Sequence, residues 1–324
     1  MRKIKNTCIV ETVWGLLLYL LVCKEEDFDR TLFFGCETSI SDSISSQLSH
    51  VVKIPNVRIY SDWASFRLRV KATAKWHIYR TEIFAQDHLN FSSQLIGLHK
   101  YTLIEDAPRI YSRYTHEKAW VQMVNKKITK GHILTKICRG SILFNGEVLG
   151  RNRQCKNRWV SDEQDMLAPI LDGKKCTLID IKKEWIKSSE QKQNRIKKIF
   201  GITEYLLAQC QKAHAIFLTQ PFSTDFRIQE EQLVEYYRPF LEIYLKQGLI
   251  IKPHPRDYIA YERYFPTATL LQTQAPMQLL GLIGVDFSVA ITTQSTSISL
   301  FPQTTNIIRI PIPEFVQTKY LSIC

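Results

Sequence analysis

The sequence predicts an α/β protein built on parallel sheets, and three observations carry that expectation. Apolar runs of strand length recur along the chain, helical or loop segments separate them, and 324 residues is long for a single core, so two domains are expected.

In order, the runs are RTLFFGC (Arg30 to Cys36), YTLIEDA (Tyr101 to Ala107), CTLIDI (Cys176 to Ile181), AIFLTQP (Ala215 to Pro221), GLIIKPHP (Gly248 to Pro255), FSVAITT (Phe287 to Thr293) and NIIRIP (Asn306 to Pro311). Between the fourth and fifth, Leu233, Tyr237, Phe240, Leu241, Tyr244 and Leu245 recur three or four apart and predict a helix. Gly248 follows as its cap, and Pro239 should kink it. Strand, helix and strand in this rhythm give parallel pairing.

The N-terminus, MRKIKNTCIVETVWGLLLYLLVCKEED, starts basic and turns apolar like a secretory leader. The uninterrupted run from Val13 to Cys23 is too short for a bilayer, Glu11 precedes it and no small-residue cleavage site follows. Val22 is a poor neighbour for a lipoprotein site at Cys23. A strand from Thr7 to Val10 and a helix from about Val13 explain the same letters. Farther on, KKEWIKSSEQKQNRIKK (Lys182 to Lys198) suits an exposed helix at a domain boundary, dividing the chain into 1–190 and 191–324. Trp185 is its sole aromatic residue, which favours a solvated helix over a nucleic-acid contact.

Lysine and arginine number 43 against 31 acidic residues, a net charge of +12 spread along the chain. That balance favours an anionic partner: a nucleic acid, a membrane surface or a charged small substrate. The eight cysteines form no CxxC pair and no Cys/His cluster at zinc spacing. They read as reduced thiols of a cytoplasmic protein, and no metal site is implied.

Three motifs end predicted strands. In LIIKPHPRDY, Pro253 and Pro255 restrict the backbone around His254, and Lys252, His254 and Arg256 can donate to phosphate oxygens. In TTQSTSIS (Thr292 to Ser299), hydroxyls enter a predicted helix, which offers side-chain donors and free backbone amides to a phosphate. In LIEDAPRI, Glu105 and Asp106 close a strand as paired carboxylates able to act as a general base.

An acidic pair, an HP motif and a late Ser/Thr pair together resemble the signatures of bacterial sialyltransferases. The segments FAQDHLN (Phe84 to Asn90), YTLIEDA, CTLIDIKKEW, AIFLTQPF, IIKPHPRDY and ITTQSTSIS resemble, in the same order, glycosyltransferase family 52, the lipooligosaccharide sialyltransferase family. The resemblance implies a GT-B architecture, two Rossmann-like domains facing across a cleft, with the second holding the donor. It also implies inverting, metal-independent transfer of sialic acid from CMP-sialic acid, a donor substrate and not a cofactor, to a terminal galactose of a surface glycan or glycolipid. Glu105 becomes the candidate base, with Asp106 supporting or replacing it. His254 would contact the CMP phosphate together with Lys252, Pro255 and Arg256. Ser295 with Thr296 would bind its oxygens, Ser297 being the alternative to Ser295, and Thr219 and Gln220 are further donor contacts. A related hexosyltransferase using a UDP-sugar is the other reading.

Peripheral contact with an anionic inner-membrane face and a homodimer are further expectations, and nucleic acid is not one. The chain departs from the family pattern at Ala107 and Pro108, where glycine normally follows the acidic pair, and a left-handed φ there would strain alanine.

Overall fold

Parallel pairing runs through both sheets, as the alternation of apolar runs and helices requires. The computed structural model describes residues 3–37, 40–55, 62–88, 91–114, 149–167, 175–295, 297, 301 and 304–323. It divides into two compact units, 1–199 and 200–324.

The first unit opens with β1 (Asn6–Val10), α1 (Val13–Val22), β2 (Thr31–Cys36), α2 (Asp42–Ser46) and β3 (Val51–Ile54). It continues with α3 (Asp62–Trp76), β4 (Glu82–Ala85), α4 (Ser92–Ile96), β5 (Tyr101–Ile104) and α5 (Ile110–Tyr114). After β6 (Cys155–Val160), α6 (Glu163–Met166) and β7 (Cys176–Leu178), it closes with α7 (Ile181–Lys187) and α8 (Glu190–Ile199). Its sheet runs β3-β2-β1-β4-β5-β6-β7, so the winding reverses between β1 and β4. Strands β3, β4 and β6 are additions to the apolar runs marked from sequence.

Helix α1 is apolar on every side, and Leu16 to Leu21 are buried, because it lies between the sheet and α7. Lys192 Nζ donates to the Leu21 carbonyl at 2.6 Å, placing a cation at the helix C-terminus. Among the described residues no helix is long and apolar enough to cross a membrane. The basic segment near residue 190 thus packs on the first unit, where Trp185, Ile196 and Ile199 are buried.

The second unit contains α9 (Glu204–Lys212), β8 (Ala215–Leu218), α10 (Phe222–Phe226), α11 (Glu230–Leu245) and β9 (Leu249–Lys252). Then come α12 (Tyr261–Tyr264), β10 (Thr269–Leu270), α13 (Met277–Leu282), β11 (Val289–Thr292), β12 (Asn306–Arg309) and α14 (Glu314–Ile323). The order β10-β9-β8-β11-β12 reverses between β8 and β11. The predicted helix is α11, whose Leu233, Tyr237 and Leu241 are buried against the sheet and whose second half contains Pro239. Gly248, at φ 90°, makes the turn into β9.

Tyr237 carries a buried hydroxyl with no hydrogen-bond partner among the described residues. Removing that unsatisfied group relieves a desolvation penalty, so Tyr237→Phe is expected to raise stability by about 1 kcal/mol, read as a higher Tm in thermal melts. A lower Tm would show that the hydroxyl is satisfied in solution.

Candidate active site

In the first unit the loops after β1, β4, β5 and β6 carry the polar groups, at the carboxyl edge where the winding reverses. Gln86, the residue after β4, is fully buried and ties these strand ends together. Its Oε1 accepts Glu11 N at 2.6 Å and Thr12 N at 3.3 Å. Its Nε2 donates to Thr12 Oγ1 at 2.8 Å, to Asp106 Oδ1 at 3.1 Å and to the Glu105 carbonyl at 3.2 Å. Thr12 also caps α1, accepting Gly15 N at 3.1 Å. A Cβ on Gly15 would stand 2.6 Å from Gln86 Nε2, so only glycine lets α1 approach this amide.

The two predicted carboxyls sit in different surroundings. Glu105 is fully buried. Trp14 Nε1 donates to its Oε1 at 3.0 Å, Ser161 N donates to its Oε2 at 2.9 Å, and Ser161 Oγ bonds its Oε1. Burial pushes this carboxyl up to about 8, outweighing the donors from Ser161 and Trp14, which act in the other direction. Glu105 is therefore mostly protonated at neutral pH. The Asp106 side chain is 27% exposed, with His88 Nε2 at 3.7 Å from its Oδ2.

Ala107 does not have a left-handed φ; Arg109 does, at 62°, and its Nε donates to Asp162 Oδ2 at 2.7 Å. The turn's unusual conformation thus falls two residues beyond the position expected from the family pattern. Asp165 is also buried near this edge and accepts Ser112 N at 2.7 Å.

In the second unit, Leu218 lies in register with both Lys252 and Thr292, so three adjacent strand ends bring Thr219, the HP motif and the hydroxyl run to one edge. Thr219 Oγ1 accepts His254 N at 2.9 Å. Arg256 N donates to His254 Nδ1 at 3.2 Å, so the neutral ring carries its proton on Nε2. Burial, with Arg256 and Lys252 nearby, lowers His254 to about 4. Lys252 is buried, its Nζ donates to Thr273 O at 3.3 Å, and burial lowers it to about 8. Arg256 Nη1 is engaged by Asp225 Oδ1 at 2.7 Å. Beneath the motif, buried Asp257 accepts Tyr261 OH at 2.9 Å, and burial raises its carboxyl.

Thr292 Oγ1 donates to Leu218 O at 3.1 Å and accepts Ser295 N at 3.1 Å. Ser295 Oγ accepts Ser297 N at 3.3 Å, leaving its hydroxyl hydrogen for another acceptor. Thr293 Oγ1 is buried without a partner among the described residues. Pro255 and Gln220 are half-buried at the same edge. Thr296 and the start of the predicted helix lie outside the described residues. Sequence reasoning passed over Gln86, Trp14, Ser161, His88, Asp165, Asp257 and Thr273. Of these, Gln86 and His88 fall in FAQDHLN, Trp14 in the apolar N-terminal stretch and Asp257 in LIIKPHPRDY, each quoted for another reason.

The model of glycosyltransferase family 52 matches residues 37–312. An uncharacterized protein of Haemophilus influenzae is 24% identical over 308 residues, covering 92% of each chain. Among solved structures, the chain is similar to the gt-b domain of a sialyltransferase from Photobacterium damselae, with TM-score 0.58, 13% identity, and 98% and 94% of the two chains covered. It is also similar to an alpha/beta-galactoside alpha-2,3-sialyltransferase from Photobacterium phosphoreum, with TM-score 0.50, 10% identity, and 95% and 90% covered. At such identities the likeness concerns the fold, and the two parallel sheets are those of a GT-B protein.

Two outcomes are expected from this geometry. Gly15→Ala forces the Gln86 amide aside and should destabilise by about 1–3 kcal/mol in denaturant unfolding. In a Gln86→Ala background the same change should cost less, and strict additivity would refute the contact. For Glu105, the folded-state value of about 8 exceeds the unfolded 4.5, so the folded state holds the proton more tightly. Stability from this group is complete below about 4.5 and is lost as pH rises towards 8, at up to about 1.4 kcal/mol per pH unit. Glu105→Gln should flatten that fall, and an unchanged stability profile would contradict the burial argument.

Proposed function

Because this chain belongs to glycosyltransferase family 52, we propose that it is an inverting sialyltransferase, moving sialic acid from CMP-sialic acid to a terminal galactose of a bacterial surface glycan such as lipooligosaccharide. The observation that carries the donor assignment is the sparse positive charge beside His254. That ring is neutral, Arg256 is held by Asp225, and Lys252 is buried against a carbonyl. A few N–H and O–H donors with one lysine suit the single charge on the phosphate of a sugar-linked CMP better than the two on the diphosphate of a UDP-sugar.

In this reading the electron pair of the breaking sugar–phosphate bond leaves on the phosphate of CMP. His254 Nε2–H, Lys252 and the hydroxyls of Ser295 and Thr296 stabilise that phosphate, with Ser297 as the alternative to Ser295. Thr219 shapes the motif through its bond to the His254 backbone. The leaving group is already an anion, so no proton need be delivered to it. The acceptor oxygen bonds to the anomeric carbon from the opposite face, inverting it, and its proton passes to the acidic pair. A base must reach the hydroxyl it deprotonates. Asp106 reaches solvent, whereas Glu105 is enclosed and mostly protonated, which supports Asp106 as the acceptor of that proton and Glu105 as its buried support. The surplus charge of +12 supports peripheral contact with an anionic inner-membrane face.

The test is release of CMP from CMP-sialic acid by the purified chain with lactose as acceptor and EDTA present. Asp106→Asn should lower kcat by about 10²–10⁴-fold. Glu105→Gln should cost less, and the reverse ranking would return the base to Glu105. His254→Ala should lower kcat/KM by about 10–100-fold, the loss of a hydrogen bond to a charged group. Turnover of UDP-sugars with none of CMP-sialic acid would discard the donor assignment.

A further inference from the structure

We propose that the outward face of α3 is the surface that docks this chain on an anionic phospholipid bilayer; the inference rests on the membrane contact in the reading above and names where it occurs. Between Asp62 and Glu82 the sequence has no acidic residue but carries Arg67, Arg69, Lys71, Lys75 and Arg80. The helix sorts these residues by face. Ala72 is fully buried, Leu68 and Trp76 pack on the core, and Arg69 turns inward to donate to Leu95 O at 3.0 Å.

Outside, two rows run side by side. Phe66, Val70 and Ala74 form an apolar row at intervals of four, with Phe66 38% and Val70 52% exposed. Arg67, Lys71 and Lys75 form the adjacent basic row, and all three are exposed. Among the described residues none of these three has an acidic partner. Just past the helix, Tyr79 is 43% exposed with the Arg80 guanidinium 5.3 Å from its ring.

An apolar row beside cations that lack acidic partners is the arrangement of a helix lying in a bilayer interface, its apolar side chains at the acyl boundary and its cations among lipid phosphates. Charge complementarity separates this occupant from the others. A second copy in two-fold contact would set basic row against basic row. A nucleic acid would satisfy the cations but leave the exposed Val70 without a role.

Sedimentation with phosphatidylcholine vesicles, with and without phosphatidylglycerol, tests the surface. The chain should bind only the phosphatidylglycerol vesicles. Replacing Arg67, Lys71 and Lys75 by Gln should weaken that binding by about 100-fold, roughly fivefold for each cation. Val70→Ser should weaken it further in either background, while the CMP released with lactose stays at the parent level. Vesicle binding that survives the triple variant would overturn the assignment to α3, as would binding that duplex DNA displaces and Val70→Ser leaves intact. Variants that turn a dimer into a monomer in light scattering without affecting vesicles would assign the face to a second copy instead. No vesicle binding by the parent chain would remove the membrane contact altogether, and the lactose assay would still report on the transferase reading.

Discussion

The first unit's polar edge depends on the side-chain amide of Gln86. In a doubly wound sheet the amides at the start of the first helix face the crevice where winding reverses, and they commonly hold phosphate. Here the Gln86 carbonyl fills them, accepting Glu11 N and Thr12 N, while its amide hydrogens turn towards Asp106 and the Glu105 carbonyl. Both roles are needed at one place. A glutamate would offer no donor to Asp106, and an apolar residue would leave buried amides unpaired. The absence of a side chain at Gly15 follows from the same contact, since the helix could not otherwise come so close.

With its helix amides occupied by Gln86, that edge holds the protein's own carboxyls where such sheets commonly hold a phosphate. Glu105 and Asp106 are neighbours in sequence but point into opposite environments. One is enclosed among Trp14 and Ser161, where burial keeps its proton on near neutral pH. The other reaches solvent beside His88. Environment, and not residue type, divides the work of such a pair.

How much of this the sequence disclosed follows from the same physics. Strands buried on both faces, such as β8, β9 and β11, are continuous apolar runs and read directly. Strand β6 did not, because CKNRWV interrupts its apolar letters with Lys156, Asn157 and Arg158. Arg158 is nonetheless buried, with Nη2 on the Gly150 carbonyl, so tertiary hydrogen bonding overrode the local pattern. Missing β6 meant missing Ser161, which follows it and holds Glu105. The motif residues were legible because the three motifs occur together, each at the end of a predicted strand and in the order of the family they resemble. Their charge states were not, since these depend on burial by residues distant in sequence. Lys252, His254 and Arg256 read as residues cationic or able to become so, yet burial leaves His254 neutral and Asp225 engages Arg256.

That difference between three basic residues in the sequence and a muted site in the fold bears on how, in the proposed reading, an anion is held and released. A fully charged cluster would hold a phosphate tightly in both substrate and product, without favouring the state in which charge builds up on the leaving group. Neutral donors at fixed positions interact more strongly as that charge develops, and they relax little to do so. Burial achieves this fixing in the second unit. The His254 backbone is bonded to Thr219, its ring nitrogen to Arg256 N, and the loop beneath is held by Asp257 and Tyr261. An arriving anion also offsets the burial that depressed His254, drawing its proton affinity upward when negative charge is nearest. In the proposed reading, the desolvation that lowers His254 is thus also what would make it responsive to a phosphate.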